Sequence, residues 1–144
     1  MEKLKDIMTP HVDVIAPNAL VQEAATKMKE LNVGAIPVCD GEKLVGMITD
    51  RDLVVRVMAE RRDPKTSRVS EAMSSDILFC YEDDDIEKAS RVMAQQQIRR
   101  LPILSTQKKL VGIVSLGDLA VHGIDAQESG DVLEQVSSPA EPRR

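Results

Sequence analysis

The sequence predicts a protein of the α/β class, in its α+β form, built from two similar β-α-β-β-α units. The chain repeats itself, and within each repeat short apolar runs typical of strands flank stretches with helical spacing. Of the 144 residues, 42% are hydrophobic and 30% are charged, which is the balance of a globular chain rather than a disordered one. We therefore expect two small units rather than one domain of average size.

The internal repeat is visible when the sequence is shifted against itself. A shift of 65 residues places Met8 on Met73 and Pro37 on Pro102, and after one inserted residue a shift of 66 places 43–46 on 109–112. A unit of about 55 residues buries too little surface to be stable alone. We therefore expect the repeats to pack on each other with pseudo-two-fold symmetry, leaving two related clefts. The predicted boundaries are 5–60 for the first repeat, 61–69 for a linker, 70–124 for the second repeat and 125–144 for a polar, partly disordered tail.

The first repeat opens with a predicted strand at 12–15. Apolar residues at helical spacing then predict a helix from Leu20 to Leu31, and Gly34 is expected to end it, as Gly commonly does. Two further strands are predicted at 35–38 and 44–48. They are joined by an Asp-Gly hairpin turn, and the second of them is expected to be buried on both faces because it is apolar throughout.

A second helix is predicted after Thr49, and the second repeat follows the same order. The residues expected on one face of that helix are Leu53, Val54, Val57 and Met58. In the second repeat the predicted elements are a strand at 77–80, a helix through 86–97, strands at 101–104 and 110–114, and a helix from about Leu116.

One motif closes the third strand of both repeats. It reads Gly, two apolar residues, Ser or Thr, any two residues, Asp and Leu, over 46–53 (the first-repeat motif) and 112–119 (the second-repeat motif). Taken alone, a hydroxyl followed three residues later by an acid is best interpreted as a helix capping box. A functional interpretation adds to this: a helix N-terminus suits phosphate, and a carboxylate in its first turn suits a ribose diol. The pattern then favours a nucleoside that carries phosphate.

These repeats and motifs resemble a tandem cystathionine-β-synthase (CBS) domain pair, or Bateman module, over about residues 5–124. The resemblance is to small stand-alone bacterial members of the hypoxic-response and general stress types. It implies a regulatory module that binds AMP, ADP, ATP or S-adenosylmethionine and acts in trans on a partner protein. It also implies that the hydroxyl and the Asp of each motif contact the ligand, here Thr49 with Asp52 and Ser115 with Asp118.

The two repeats differ just before their central Pro. The second has Arg99 and Arg100 there, and the first has Gly34 and Ala35. A solvated surface pair is the common fate of arginines, but their forked guanidinium groups also suit phosphate. We therefore expect at most one well-occupied site, with aliphatic walls around the adenine. The full set of predicted ligand-binding residues is Val12, Val14, Thr49, Asp52, Ile77, Arg99, Arg100, Ser115 and Asp118.

Composition argues against several other functions. The chain has one Tyr, one Phe, no Trp and a net charge of −5, so neither nucleic-acid binding nor membrane binding is expected. No catalytic motif is present, so no enzyme is predicted, and a cytoplasmic location is expected because no signal peptide is apparent.

Two possible metal sites carry little weight. Cys39, Cys80, His11 and His122 lack zinc-site spacing, and the acidic run 82–85 is better explained as capping the helix that follows it.

Self-association is the remaining expectation. The resemblance implies a homodimer in the family's disc arrangement, in which the apolar second helices would face a partner pair; the alternative is that these helices pack only within the chain. The alternative function is therefore a ligand-independent homodimeric scaffold or stress-response protein, with metal binding as a minor variant.

Overall fold

The computed structural model describes residues 2–122, which form two compact units. The first-repeat unit comprises 13–77, and the second-repeat unit comprises 2–12 together with 78–122. The segment that opens each sequence repeat therefore lies in the unit built mainly from the other repeat. In chain order the elements are α1 (Leu4–Ile7), α2 (Val21–Leu31), β1 (Ala35–Asp40), β2 (Lys43–Thr49), α3 (Asp50–Asp52), a π-helical stretch that continues α3 (Leu53–Met58), α4 (Val69–Ala72), β3 (Cys80–Tyr81), α5 (Ile86–Gln96), β4 (Arg100–Leu104), β5 (Leu110–Ser115) and α6 (Leu116–His122).

Each unit is organised around one antiparallel hairpin. In the first-repeat unit β1 pairs with β2, and Ala35 lies opposite Thr49. In the second-repeat unit β4 pairs with β5, Arg100 lies opposite Ser115, and β3 runs parallel to β4. The predicted Asp-Gly turn between β1 and β2 is confirmed, because Gly41 has a φ of +63°, which a residue without Cβ adopts at little cost. The α+β class is confirmed as well.

A separate apolar core lies inside each unit. In the first-repeat unit α2 packs on the hairpin through Val21, Ala24 and Met28, together with Ile36 and Ile48 from the strands. In the second-repeat unit α5 does the same through Ile86, Ala89 and Met93, together with the strand residues Leu101, Ile103 and Val114. Ala24 and Met28 are among the positions whose helical spacing predicted α2, whereas Leu20 precedes this helix and Leu31 is 40% exposed.

The two short helices α1 and α4 occupy equivalent places and were not predicted as helices. The backbone N–H of Leu4 donates to the carbonyl oxygen of Asp84 at 2.9 Å, and that of Val69 donates to the carbonyl oxygen of Ala19 at 2.8 Å. Since 69 and 4 differ by the same 65 residues as 84 and 19, the same hydrogen bond is made in both units. Four residues are too few for helical periodicity to identify the turn.

The first long helix ends at the predicted residue, but the residue predicted to terminate it was wrong. α2 ends at Leu31, and Asn32 takes the left-handed conformation with a φ of 55°. Its repeat partner Gln97 does the same after α5. Asn tolerates this conformation because its short side chain can bond locally. Gly34 does not have a positive φ; its lack of a side chain has a different consequence, described below.

The predicted first strands were also largely wrong. Within 12–15 only Ile15 pairs, in a single parallel bridge with Val38, and in the second repeat pairing begins at Cys80 rather than at Ile77. The strand 44–48 was expected to be buried on both faces, but β2 alternates between buried and half-buried residues. One face of the hairpin is thus less covered than a continuous apolar run suggests.

The helix after Thr49 is wound more loosely than expected. The N–H of Ala59 donates to the carbonyl of Val54, and that of Arg62 donates to the carbonyl of Val57, five residues back in each case. As a result Val57 is buried and Leu53 is half-buried, whereas Val54 and Met58 are exposed. The expectation of one shared apolar face is therefore corrected.

Within residues 2–122, no helix is both long enough and apolar enough to cross a membrane. The predicted tail, 125–144, lies outside the described residues.

Candidate functional site

The second-repeat motif forms a reciprocal capping box at the start of α6. The N–H of Ser115 donates to Oδ2 of Asp118 at 2.8 Å, and the N–H of Asp118 donates to Oγ of Ser115 at 3.1 Å. The structural interpretation of this motif is thus confirmed. Some bonding capacity remains, because within residues 2–122 the other carboxylate oxygen of Asp118, Oδ1, accepts no hydrogen bond. Ser115 also keeps its hydroxyl proton as a donor.

The first-repeat motif forms the same box. The N–H of Thr49 donates to Oδ2 of Asp52 at 2.9 Å, and the N–H of Asp52 donates to Oγ1 of Thr49 at 3.1 Å. Here the second carboxylate oxygen is engaged, because Oδ1 of Asp52 lies 3.8 Å from Nε of Arg56. The two carboxylates therefore differ in their partners: Asp52 forms an ion pair with Arg56, and within residues 2–122 Asp118 forms no such pair.

The glycine that opens each motif is required by a close approach. A Cβ on Gly46 would lie 2.6 Å from Sδ of Met73 and 2.9 Å from the carbonyl oxygen of Ser74. A Cβ on Gly112 would lie 2.5 Å from Sδ of Met8 and 3.0 Å from the carbonyl oxygen of Thr9. The segments around Met73 and Met8 also pair with the strands that lead into the motifs: Ser74 pairs with Met47 of β2, and Thr9 pairs with Ile113 of β5. The Gly thus lets the strand carry the motif while a second chain segment lies directly against it.

The basic pair of the second repeat lies beside its motif. Arg100 begins β4 and is the register partner of Ser115 on β5, and the carbonyl of Arg99 accepts a 2.9 Å hydrogen bond from the N–H of Leu116. Both arginines are exposed residues. Two cationic side chains, the Ser115 hydroxyl and the Asp118 carboxylate therefore share the end of one hairpin.

The equivalent place in the first repeat carries an acid instead. The N–H of Asp50 donates to the carbonyl of Gly34 at 2.9 Å, and Oδ2 of Asp50 lies 3.0 Å from the point where a Cβ on Gly34 would be. Gly34 thus leaves room for a carboxylate where the second repeat places the side chain of Arg99. The two hairpin ends therefore carry different charged residues: Arg99 and Arg100 at one, and Asp50 next to Arg51 at the other.

Arg56 is a residue of the first-repeat site that sequence reasoning missed. Its NH1 donates to the carbonyls of Met73 at 3.1 Å and Ala72 at 3.4 Å, and its Nε faces Asp52. The available signal was the four-residue spacing from Asp52, which brings an acid and a base together on a helix.

The predicted ligand residues divide between the two units. Arg99, Arg100, Ser115 and Asp118 lie together in the second-repeat unit, which also contains Val12. The first-repeat unit contains Val14, Thr49, Asp52 and Ile77. Val12, Val14 and Ile77 are half-buried, and their part in ligand binding stays a prediction.

The cysteines and acids that could suggest a metal site have other roles. Burial raises the pKa of Cys80 to about 11 and also raises that of Cys39, which keeps both thiols protonated and inert. In the part of the chain that the structure describes, no three His, Cys, Asp or Glu side chains are grouped to hold a metal ion. The acidic run caps α5 as predicted, since Oδ1 of Asp85 accepts from the N–H of Lys88 at 2.9 Å.

Each unit combines a hairpin and helices and carries the motif of Gly, two apolar residues, Ser or Thr, any two residues and Asp, in which the hydroxyl and the Asp form a capping box. This arrangement is that of a CBS-domain pair. The family model for the CBS domain matches this chain twice, at residues 4–59 and 69–123, so the chain belongs to the CBS-domain family. It is 48% identical over 137 residues to the CBS domain-containing protein YhcV of Bacillus subtilis, covering 95% of this chain and 96% of that protein. It is 36% identical over 123 residues to hypoxic response protein 1 of Mycobacterium tuberculosis, covering 85% of each.

Solved structures show the same fold. Hypoxic Response Protein I, determined with two coordinated zinc ions, matches with a TM-score of 0.78 at 36% identity, over 85% of this chain and 99% of that one. CBSX2 in complex with AMP matches with a TM-score of 0.72 at 27% identity, over 83% and 93% of the two chains. The CBS pair of MJ0100 in complex with 5′-methylthioadenosine and S-adenosyl-L-methionine matches with a TM-score of 0.71 at 25% identity, over 83% and 94%.

Proposed function

We propose that this chain is a regulatory module that binds an adenosine-containing ligand at the second-repeat motif and acts in trans on a partner protein. The ligand class is AMP, ADP, ATP or S-adenosylmethionine, and the role is binding rather than catalysis. The observation that carries the proposal is the basic pair beside the Asp118 carboxylate, whose Oδ1 accepts no hydrogen bond from residues 2–122. Relatives of this fold bind AMP, 5′-methylthioadenosine and S-adenosylmethionine, which supports an adenosyl group as the shared chemistry.

Asp118 is the proposed ribose contact. Its Oδ2 is held by the capping box, which fixes the orientation of the carboxylate, and its Oδ1 is available to accept from a sugar hydroxyl. A side chain already held in place loses little further conformational entropy when the ligand binds. The capping role and the binding role therefore support each other.

Arg99 and Arg100 are the proposed phosphate contacts, with the hydroxyl of Ser115 as an additional donor. Guanidinium groups bind phosphate with two parallel hydrogen bonds. Arg100 is the register partner of Ser115, so a phosphate at the end of this hairpin would be within reach of both. For the adenine we propose an aliphatic contact with Val12, which lies in the same unit as Arg100 and Ser115 and is half-buried, so that part of its apolar surface stays accessible.

The proposal is tested by calorimetric titration of the full chain with AMP, ADP, ATP, S-adenosylmethionine and 5′-methylthioadenosine. The variant Asp118→Asn keeps a capping acceptor but removes the negative charge. Hydrogen bonds to charged groups contribute about 1.5–3 kcal/mol, so the affinity is expected to fall roughly 10- to 150-fold.

Asp85→Asn is the matched control for that variant. Asp85 is also a helix-capping Asp in the second-repeat unit, so the control removes one negative charge and retains a cap without touching the motif. We expect its affinity to match that of the wild type. No binding of any of these compounds at millimolar concentration, or equal losses in the two variants, would contradict the proposed site.

A homodimeric scaffold is the second candidate function, and exposed apolar side chains favour it. Val55 and Val121 are equivalent positions under the 66-residue shift, and both are exposed, at 43% and 78%. Met58 is 73% exposed. Exposure of the same apolar position in both repeats is typical of a surface that is covered in an assembly. Under this alternative the second copy is the partner and nucleotide has no role.

A further inference from the structure

Arg56 places its guanidinium between the Asp52 carboxylate of the first-repeat motif and the backbone at Met73. Its Nε lies 3.8 Å from Oδ1 of Asp52, and its NH1 donates to the carbonyl of Met73 at 3.1 Å. The Asp52 side chain is 14% exposed and the Arg56 side chain is 50% exposed, so solvent screens this ion pair from the arginine side only in part. The two oxygens of Asp52 therefore have different partners: Oδ2 accepts a hydrogen bond from the N–H of Thr49, and Oδ1 faces the guanidinium in an ion pair.

Within residues 2–122, the second-repeat motif has no corresponding ion pair. Under the 66-residue shift, Arg56 falls on His122. Among the described residues, no ion pair joins His122 to Asp118, and the Oδ1 atom of Asp118 has no hydrogen-bond donor. The two motifs share their capping boxes and differ in whether a cation covers the remaining oxygen.

The charge next to Asp52 acts in the same direction. Asp50 places its carboxylate over Gly34, where the other repeat has Arg99. A ligand phosphate at this hairpin end would meet a carboxylate of its own sign, which opposes binding. A ribose hydroxyl, which is neutral, would have to compete with the charge of a guanidinium that faces Asp52.

We propose that Arg56 is a specificity-determining residue that disfavours nucleosides at the first-repeat motif, because its guanidinium pairs electrostatically with the oxygen of Asp52 that a ribose diol would need. This inference rests on the proposed function, since it assumes that a carboxylate of this motif binds ribose. It assigns the limit of one ligand per chain to a particular side chain. It also makes the first-repeat motif a latent site that one substitution opens.

The test is calorimetric titration with 5′-methylthioadenosine, which has no phosphate and so avoids the repulsion from Asp50. Wild type, Arg56→Gln and the double variant Arg56→Gln with Asp52→Asn are compared. Gln retains an amide donor for the carbonyl of Met73 while removing the positive charge. We expect one site per chain in wild type, two in Arg56→Gln and one in the double variant. Arg56→Met, which removes both interactions, should also show two sites, and thermal unfolding confirms that each variant is folded.

Arg62→Gln is the matched control. Arg62 lies six residues further on and forms an exposed ion pair with Glu71 at 3.0 Å, so its loss removes a cation without opening Asp52. We expect it to keep one site. Two sites in this control would contradict the inference, because charge alone would then explain the gain.

The outcomes separate this inference from the proposed function. One site in wild type and still one in both Arg56 variants overturns the role of Arg56 but leaves the Asp118 site standing. No binding in wild type and one site in Arg56→Gln, lost in the double variant, supports the role of Arg56 and overturns the Asp118 site. No binding in any variant overturns both.

Discussion

At the scale of single residues, the Asp of the motif has different charged neighbours in the two repeats. Asp52 and Asp118 occupy equivalent positions and make the same capping box. The difference arises four residues further on, where Arg56 meets Asp52 and His122 takes the equivalent place. A motif therefore predicts the cap, and its neighbours decide whether the carboxylate is open to a ligand.

The motif glycines support a stability prediction at this scale. Ala at Gly112 would bring a Cβ to 2.5 Å from Sδ of Met8 and 3.0 Å from the carbonyl oxygen of Thr9, and that backbone atom cannot move as easily as the end of a side chain. Overpacking of this kind costs about 1–3 kcal/mol. We expect Gly112→Ala to lower the free energy of unfolding by that amount in urea denaturation.

Gly117→Ala is the matched control, five residues along the same segment. Its new Cβ would meet only Oγ of Ser115, at an ordinary 3.6 Å, and Ala is favoured over Gly inside a helix by about 1 kcal/mol. We expect Gly117→Ala to unfold at the same or higher urea concentration than wild type. A Gly112→Ala protein as stable as Gly117→Ala would show that the segment around Met8 does not lie against the strand.

Much of the candidate site could be predicted from single residues, and the rest could not, for a physical reason. Thr49, Asp52, Ser115 and Asp118 stood out because capping requires a fixed spacing. The four-residue spacing of Arg56 from Asp52 could have indicated their ion pair, but its hydrogen bond to the carbonyl of Met73, 17 residues away in sequence, could not be foreseen. Contacts of this kind leave no periodic signal.

At the scale of elements, long periodic segments were predicted well and short ones poorly. The helices α2 and α5 and both hairpins lie where apolar spacing placed them. The strand 12–15 was wrong because alternation over four residues does not determine pairing, and only Ile15 finds a partner. Gly34 was wrong as the residue that terminates α2, because Asn32 takes the left-handed conformation there, while Gly34 accommodates Asp50.

The start of β4 supports a prediction at the element scale. Arg99 and Arg100 lie at this end of the hairpin, beside Ser115. If they contact phosphate, Arg99→Gln with Arg100→Gln should weaken AMP binding at least tenfold, about 1.4 kcal/mol. The same variant should bind 5′-methylthioadenosine as wild type does, because this ligand has no phosphate. Raising the salt concentration should weaken AMP binding to wild type more than to the variant.

Two calorimetric titrations of the same variant decide this point. Equal losses for AMP and 5′-methylthioadenosine would show that the arginines support the hairpin rather than the phosphate. Lys108→Gln with Lys65→Gln is the charge-matched control, since it removes two cations elsewhere on the surface. It should leave both affinities unchanged.

At the scale of the whole molecule, self-association is predicted by exposed apolar residues on the helices that follow the two motifs. These motif helices are the π-helical stretch Leu53–Met58 and α6. Val55 and Val121 are exposed at the same repeat position, and the neighbouring Met58 is exposed as well. Large apolar side chains are costly to leave in water at about 25 cal/mol per Å², so a second copy that covers them would be stabilised. Light scattering is expected to show twice the mass of a single chain. Met58→Glu with Val121→Glu should give the mass of one chain, because a carboxylate in an apolar interface is strongly unfavourable.

The control for this change is Leu31→Glu. Leu31 is also an exposed apolar residue, but it lies at the end of α2, outside the motif helices, and we expect it to leave the mass unchanged. The Met58 and Val121 positions face solvent in the single chain, so the variants should keep its fold and its nucleotide affinity. Retained affinity in a single-chain variant would separate binding from assembly. A wild-type chain that scatters as a monomer would instead contradict the dimer, and the scaffold function with it.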